Sequence, residues 1–210
     1  MTTELEEFNE MRREERRVDR ACADLFVRAC KGRDRSLLID AADQISRTGV
    51  GGWAIAIRRI AREIKTPVHR EIQLAFLGEI WPGHKSLSLT VGDDKALLAA
   101  LRVLVISYCG PARRLFRGTA ARERRVRRYG MSWSSSREIG EIFADPKRHG
   151  GEDSVLIETI APPEAILCDV AVAGGPNDES EYLVDRWFLT AVKLVRRYEG
   201  IPMPETRCAP

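Results

Sequence analysis

Residues 130–144 read GMSWSSSREIGEIFA, and the expected fold is built outward from this segment. It begins with a glycine and places four serines around one tryptophan, Trp133. Its second half repeats apolar residues at the i, i+3 and i+4 spacing of a single helical face, namely Ile139, Ile142 and Phe143. Serine side chains cap helix N-termini, and Glu138 stands where a capping box would use it. The segment therefore predicts a strand end, a hydroxyl-rich loop and a short helix, with Trp133 in the core.

Length and composition allow one large domain or two small ones. The chain has 210 residues, of which 44% are hydrophobic, so it can bury a proper core. Its 34 basic and 31 acidic residues leave a formal charge of only +3. The charge is unevenly distributed, because the segment from Arg113 to Arg128 holds eight arginines against a single acid, Glu123. Such a cluster is typical of a solvated surface and also of a surface that binds phosphates.

The cysteines and the N-terminus favour a cytoplasmic protein. Five cysteines are scattered along the chain without a CxxC pair, which suits reduced thiols and predicts neither a disulfide framework nor a zinc site. The acidic N-terminus lacks the apolar core of a signal peptide. The longest apolar run, Ala96–Ile106, is interrupted by Arg102 and is too short to span a bilayer, so we expect no membrane contact. An effector that a dedicated apparatus secretes or injects would have the same composition.

The first 110 residues predict an almost entirely helical region. The first of its helices carries a narrow apolar stripe among glutamates and arginines, and we expect this stripe to pack on its own domain. The glycines between Gly49 and Gly52 predict a break between the second and third helices, and Asp93 or Asp94 is expected to cap the last one. Apolar periodicity places the five helices at Thr3–Lys31, Arg35–Arg47, Trp53–Lys65, Val68–Trp81 and Lys95–Val105.

The character of the sequence changes after Pro111, where short β-type runs are separated by proline and glycine. The last of these runs also fits a helix. We therefore predict an α+β chain, with a helical region over 1–110, a strand-rich core over 111–200 and a tail over 201–210. The runs are Leu115–Phe116, Ser154–Ile160, Ala165–Val172, Tyr182–Val184 and Trp187–Val195.

Three polar elements follow one another through the strand-rich region. They are Arg117-Gly118 at the end of a strand, Ser132-Trp133-Ser134, and Glu179-Ser180-Glu181 before Tyr182–Val184. Residues i and i+2 of an extended segment point to the same side, so Glu179 and Glu181 are expected to project into one cleft. Two carboxylates in one cleft are unfavourable unless a cation or a developing positive charge lies between them.

At these positions the sequence resembles the arginine–serine–glutamate class of mono-ADP-ribosyltransferases, in particular toxin-like members from bacteria and phages. That family carries an arginine on its first core strand, a Ser-x-Ser motif on a later strand and a Glu/Gln-x-Glu motif on a third. The flanking phrases LFRG, GMSWSSS, IFA and ESEYLVD also resemble the family's pattern. The resemblance covers roughly residues 113–197, and it implies that the core over 111–200 is an ADP-ribosyltransferase-like split β-sheet.

The resemblance also implies an activity, with NAD⁺ as a substrate. The enzyme would cleave the nicotinamide–ribose bond and transfer ADP-ribose to a macromolecule. Glu181 would bind the ribose 2′-hydroxyl and stabilise the oxocarbenium-like centre, while Glu179 would orient or deprotonate the acceptor. Arg117, with Gly118 beside it, would bind the pyrophosphate. Ser132 would hold the nicotinamide ribose or shape its strand, and Ser134 would support the glutamate.

The resemblance leaves more than one choice for the acceptor and for the functional serine. In the family, a glutamate two residues before the catalytic one is associated with arginine acceptors, so Glu179 implies a protein arginine, although relatives that modify nucleobases exist. Many members carry threonine where this chain has Trp133. The serine run also permits a second register, Ser134-Ser135-Ser136. We expect Ser132 to matter more for function than Ser136.

A second hypothesis comes from a different class of protein. The arginines from Arg113 to Arg128 would serve a non-catalytic nucleic-acid-binding module, whose affinity would fall steeply with salt. Few aromatic residues interrupt this cluster and the overall charge is nearly balanced, which weighs against the idea. The helical region over 1–110 carries no recognisable motif. It would brace the cleft, bind the target macromolecule or contact an immunity partner.

Overall fold

A computed structural model of the chain describes residues 2–48, 51–84, 87–174 and 180–201. It confirms the predicted α+β organisation, since a helical N-terminal half is followed by a six-stranded antiparallel sheet. By its contacts the chain divides into two compact units, Met1–Ser107 with Val172–Gly175, and Tyr108–Ala171 with Pro176–Pro210. Within the described ranges, none of the helices combines the length and the apolar character needed to cross a membrane.

The helical unit contains the five predicted helices and a sixth, α5, that was not predicted. The predicted Val68–Trp81 helix is shorter as an α-helix, because α4 continues as a π-helix over Phe76–Ile80 and a 3-10 turn over Trp81–Gly83. Asp93 caps α6 by accepting a hydrogen bond from the Ala96 backbone at 3.0 Å. The helices are α1 (Thr2–Gly32), α2 (Arg35–Thr48), α3 (Gly51–Glu63), α4 (Arg70–Ala75), α5 (Leu87–Val91) and α6 (Asp94–Leu104).

The predicted break at the glycines is wrong for Gly51 and Gly52, which form the first residues of α3. The reason is close packing between helices, since a Cβ atom on Gly52 would lie 3.0 Å from Cγ2 of Ile45 on α2. Gly52 is therefore a contact point inside the helix pair, where glycine allows the backbones to approach. Gly49 and Val50 lie outside the described residues.

The apolar stripe of α1 packs on its own unit only in the second half of the helix. Buried residues begin at Cys22, and Phe26 meets the Trp53 ring edge-on with the centroids 5.3 Å apart. Leu5, Phe8 and Met11 are all more than half exposed, so the prediction that they pack inward is wrong. The reason is helix length, because α1 has 31 residues whereas its partners α2 and α3 have 14 and 13.

The sheet unit has the strand order β4-β5-β2-β1-β3-β6, with every neighbouring pair antiparallel. The ambiguous run Trp187–Val195 divides into a 3-10 turn over Arg186–Phe188 and the start of β6. The strands are β1 (Arg113–Ala120), β2 (Ser132–Ser134), β3 (Ser154–Ala161), β4 (Ile166–Asp169), β5 (Glu181–Val184) and β6 (Val192–Tyr198). Two short helices, α7 (Ala121–Arg125) and α8 (Arg137–Phe143), connect them.

The two faces of the sheet carry different cores. Leu115, Trp133 and Ile157 belong to a larger cluster on one side, and Trp133 is buried as predicted. Phe116 and Leu156 belong to a smaller cluster on the other side. This division follows from strand alternation, since neighbouring residues along a strand point to opposite faces.

Helix α8 makes its closest approach to the sheet through glycine, and its predicted apolar stripe is only partly covered, with Ile139 and Phe143 half-buried. Ile142 is 51% exposed, whereas Gly140 is buried. A Cβ atom on Gly140 would lie 2.9 Å from both the Cβ of Phe116 and a methyl carbon of Leu156. On β1, a Cβ atom on Gly118 would lie 2.6 Å from the Gly140 carbonyl oxygen and would also collide with the backbone of Phe143. Two glycines thus set the distance between α8 and the sheet.

We predict that Gly118→Ala lowers the free energy of unfolding by about 1–3 kcal/mol or more, because the added methyl meets backbone atoms that cannot move aside. The measurement is the urea midpoint followed by circular dichroism. Gly32→Ala is the matched control, since no atom lies within 4 Å of its added Cβ and alanine has a higher helix propensity than glycine in the last turn of α1. Equal midpoints for Gly118→Ala and the wild type would contradict this packing.

We also predict that Glu63 contributes to the stability of the fold and that this contribution is lost in acid. Hydrogen bonds from Arg59, Lys31 and Arg62 lower the pKa of Glu63 to about 2. A depressed carboxylate pKa stabilises the fold above the unfolded value of 4.5, and this stabilisation is lost as the pH falls toward 2. Glu63→Gln should therefore be less stable than the wild type near neutral pH, and the difference should shrink below pH 4.5 and disappear as the pH falls through about 2.

Urea midpoints of the two proteins across this range provide the test. Glu10→Gln, which changes an exposed glutamate on the uncovered part of α1, is the control. A stability difference between Glu63→Gln and the wild type that stays constant down to about pH 2 would rule out the proposed ion-pair contribution.

Candidate active site

Strand β2 brings the three predicted polar elements together. It lies between β1 and β5, and Ser134 is the residue that faces both neighbours: it pairs with Phe116 on β1 and with Glu181 on β5. Residues directly opposite one another in a sheet share a face, so the Ser134 and Glu181 side chains leave the sheet on the same side. Ser132, two residues earlier on β2, shares that face and pairs with Leu183.

The serine run divides into a strand and a helix cap. Ser132 and Ser134 belong to β2, whereas Ser136 is the N-cap of α8 and accepts a hydrogen bond from the Ile139 backbone at 3.2 Å. The Ser134 hydroxyl accepts a hydrogen bond from the Ser136 backbone at 3.0 Å. The second register, Ser134-Ser135-Ser136, is therefore the turn between the strand and the helix.

Glu138 takes part in this cap in a different way from the predicted capping box. Its carboxylate accepts a hydrogen bond from the Ser136 hydroxyl at 2.8 Å, and it lies in the first turn of α8. Its own backbone N–H and the Ser136 hydroxyl both lower the pKa of Glu138. The carboxylate thus supports the N-terminus of α8 by way of the capping serine.

Arg117 ties β1 to the start of β2. Its Nη1 donates a hydrogen bond to the Ser132 carbonyl oxygen at 2.5 Å. The guanidinium packs against Gly130, where a Cβ atom would lie 2.7 Å from Cζ of Arg117. Its Nε is enclosed and has no hydrogen-bond partner among the described residues. A larger residue at position 130 would displace the guanidinium from this position.

The charge of Arg117 is held in a desolvated environment. Burial lowers the pKa of Arg117, and the negative charges of Glu123 and Glu181 oppose that effect. The guanidinium therefore lies within the electrostatic field of the β5 glutamate, even though alternation starts its side chain on the opposite face of β1 from Phe116. The residue as a whole is half-buried, whereas its Nε is fully enclosed.

Glu181 is the first residue of β5 and is only 8% exposed. The residue before it, Ser180, has a φ of 45°, in the left-handed region that costs energy for any residue except glycine. The Ser180 carbonyl accepts a hydrogen bond from the Ser135 backbone at 3.0 Å, which fixes the turn against the serine loop. Backbone strain thus lies immediately beside the buried carboxylate.

The left-handed Ser180 changes the expectation for the glutamate pair. Glu179 and Glu181 were expected to point the same way because the segment was taken as extended, but alternation does not extend through a residue with positive φ. Glu179 itself lies outside the described residues. The structure therefore describes Glu181 at the start of β5, and a role for Glu179 beside it stays a prediction.

Glu123 is a neighbour of the site that the sequence did not single out. Its carboxylate accepts a short hydrogen bond from the hydroxyl of Thr119, a residue that is 1% exposed on β1. Its charge favours the ionised form of Arg117. The signal in the sequence was that Glu123 is the single acid among the eight arginines between Arg113 and Arg128.

No protein-family model, curated protein or solved structure matches this chain. In the parts of the chain that the structure describes, no group of three or more His, Cys, Asp and Glu side chains is arranged to hold a metal ion. The function is therefore inferred from the residues of β1, β2 and β5 and from their geometry.

We predict that Ser136→Ala destabilises the protein by about 1 kcal/mol, because α8 loses its N-cap hydrogen bond. Thermal unfolding followed by circular dichroism measures the effect. Ser135→Ala is the matched control, since that side chain is exposed and only its backbone contacts Ser180. The capping assignment is wrong if the two variants unfold at the same temperature.

Proposed function

We propose that the protein is an NAD⁺-dependent mono-ADP-ribosyltransferase that transfers ADP-ribose to a macromolecule, with a protein arginine as the acceptor. One observation carries this proposal: Ser134 of β2 lies directly opposite Glu181 of β5, and Arg117 of β1 binds the β2 backbone at Ser132. The three elements are separated by up to 64 positions in the sequence, yet they occupy three adjacent strands in the middle of the sheet.

The chemistry of the bond to be broken explains why a buried glutamate is needed. The bond between nicotinamide and ribose breaks with its electron pair going to the nicotinamide nitrogen, which leaves positive charge on C1′ of the ribose. The Glu181 carboxylate, 8% exposed, would face this charge in a region of reduced dielectric, where the attraction is stronger than in water. The acceptor nucleophile then forms a bond to C1′ and releases a proton.

The serines would place the ribose next to that carboxylate. Ser132 and Ser134 share the face of β2 from which Glu181 is reached, and the turn after Ser134 is held by its hydroxyl and by the Ser180 carbonyl. This arrangement fixes the Ser134 hydroxyl relative to the glutamate before a ligand binds. Preorganised polar groups of this kind lower the cost of reaching the transition state.

Arg117 would combine two tasks. Its planar guanidinium suits the pyrophosphate of NAD⁺, because it offers several N–H donors in a fixed fork. One of those donors already holds the Ser132 carbonyl, so movement of Arg117 toward a pyrophosphate would be coupled to β2. Gly118, which sets the distance between β1 and α8, keeps this strand in place.

The acceptor assignment depends on Glu179, which would orient the acceptor guanidine or take its proton. Together these features fit an effector of the toxin-like kind, carried by a bacterium or phage and acting in a cytoplasm. In that setting the helical unit would contact the target macromolecule or an immunity partner.

We predict that Glu181→Gln reduces both nicotinamide release and ADP-ribose transfer by roughly 10²–10³-fold, since the charge that stabilises the transition state is removed. Purified protein is incubated with labelled NAD⁺ and cell lysate, and both products are quantified. Glu164→Gln, at an exposed glutamate of the same unit, is the control and should behave like the wild type.

Mass spectrometry of the labelled species identifies the acceptor residue. The proposal fails if the wild type neither releases nicotinamide nor transfers label, or if Glu181→Gln is as active as the wild type.

A further inference from the structure

A second candidate site lies on the surface of the sheet unit, in the turn that follows β5. Trp187 is 62% exposed and Phe188 is 46% exposed, although large aromatic side chains are normally buried for most of their area. Neither core packing nor solubility requires two neighbouring aromatic side chains to be exposed. They are typical of a surface that binds a partner.

The turn that presents Trp187 is held rigidly. Asp185, which is 4% exposed, accepts a hydrogen bond from the Trp187 backbone at 3.0 Å and caps the 3-10 turn over Arg186–Phe188. The backbone of Phe188 donates to the Asp185 carbonyl at 3.1 Å. The Arg186 guanidinium lies 4.8 Å from the centroid of the Trp187 ring and favours this orientation of the ring. The backbone of the turn is therefore held in place with Trp187 exposed on it.

The fold brings this turn next to the arginine cluster. Nη1 of Arg186 donates a hydrogen bond of 3.4 Å to the carbonyl oxygen of Tyr129, which directly follows Arg127 and Arg128 in the chain. Tyr129 is itself anchored, because its ring packs edge-on against Trp133 with the centroids 6.1 Å apart. The sequence showed few aromatic residues within the cluster, but the structure supplies them from a segment that lies 57 positions further along.

The neighbouring arginines are exposed, and two described glutamates near them are engaged by other residues. Arg125, Arg127 and Arg128 are exposed, and Arg127 has a φ of 53°, which turns the chain at this point. Glu123 is engaged by the Thr119 hydroxyl, and Glu152 pairs with Arg122 at 2.9 Å. The hydrogen bond from Arg186 to Tyr129 therefore connects the exposed aromatic turn to a segment of exposed arginines.

We propose that Trp187 and Phe188, together with Arg125, Arg127, Arg128 and Arg186, form a binding site for single-stranded nucleic acid. Unpaired bases stack on aromatic rings whatever their sequence, and guanidinium groups bind the phosphates between them. This proposal goes beyond the transferase, because binding at this patch requires neither NAD⁺ nor Glu181.

Two other partners fit the patch less well. A duplex offers no unstacked base to Trp187, and α7, with its five residues, is too short to read a groove. A membrane would have to bury the apolar surface of Trp187, and the charged Arg186 guanidinium lies over that ring. A single strand can stack a base on the Trp187 ring and place its phosphates next to the arginines.

Fluorescence anisotropy with labelled single-stranded DNA and RNA of about 12 nucleotides tests the proposal. We expect Trp187→Ala to weaken binding roughly 5- to 100-fold through the loss of stacking, and Trp187→Phe to retain most of the affinity. Arg127→Gln with Arg128→Gln should reduce the slope of log affinity against log salt by about 1.4, or about 0.7 for each phosphate that is no longer neutralised. The DNA and RNA arms show which strand is preferred.

Matched controls separate this site from general charge and from catalysis. Leu89→Ala removes an apolar side chain that is 85% exposed on the helical unit, and Arg13→Gln removes an exposed arginine on α1. Both should bind as the wild type does. Glu181→Gln should also bind normally, so that failure of the transferase proposal and failure of this one are distinguishable.

Four results would overturn the proposal. In the first, neither single strand binds; in the second, a duplex of the same length binds with equal affinity. In the third, the affinity of Trp187→Ala is unchanged. In the fourth, the protein binds phosphatidylcholine–phosphatidylserine vesicles through Trp187 and does not bind nucleic acid. Circular dichroism of each variant establishes that the fold is retained before affinities are compared.

Discussion

The pairing of β2 with its two neighbours is the interaction on which the sheet unit depends. In the order β4-β5-β2-β1-β3-β6, the three residues Ser132–Ser134 join the β4-β5 pair to the other three strands. Several contacts support the start of this short strand. Arg117 and Trp133 bind the carbonyls of Ser132 and Gly130, and the Val184 backbone donates to the Met131 carbonyl at 2.8 Å. Such support compensates for a strand too short to be stable by its own ladder.

This constraint also places two opposite charges in a region with little water. Arg117 has a lowered pKa because it is buried, and Glu181 lies within its electrostatic reach while being 8% exposed. Burying charged groups costs folding free energy, which their mutual attraction and the charge of Glu123 partly offset. Ser180 adds backbone strain next to the same glutamate. A protein that carries such costs at one point of a sheet is expected to use that point for binding or catalysis.

Local patterns in the sequence predicted the parts of the structure that local forces determine. The periodicity of the helices, a cap at Asp93 or Asp94, the buried Trp133 and the change to strands after Pro111 all follow from spacing and capping chemistry, and Asp93 is the residue that caps. Non-local packing decided the rest. The partners of α1 are too short to cover Leu5, Phe8 and Met11, and α8 meets the sheet through Gly140 because two backbones approach there. Periodicity alone does not reveal either contact.

In the candidate site, too, local sequence patterns predicted some features and tertiary structure determined the others. The residue types and their order pointed to Arg117, Ser132, Ser134 and Glu181, but only the strand register shows that Ser134 is the serine opposite Glu181. The left-handed Ser180, the role of Glu123 and the approach of Trp187 to the arginines are consequences of tertiary structure. The contact between Arg186 and Tyr129 joins segments that no short-range rule connects.

A crystal structure of the protein with a non-hydrolysable NAD⁺ analogue would test the assignment of the cleft most directly. The account predicts that the nicotinamide ribose lies against Ser134 and Glu181, with the pyrophosphate next to Arg117. An analogue that binds away from β1, β2 and β5, or that fails to bind at saturating concentration, would contradict it.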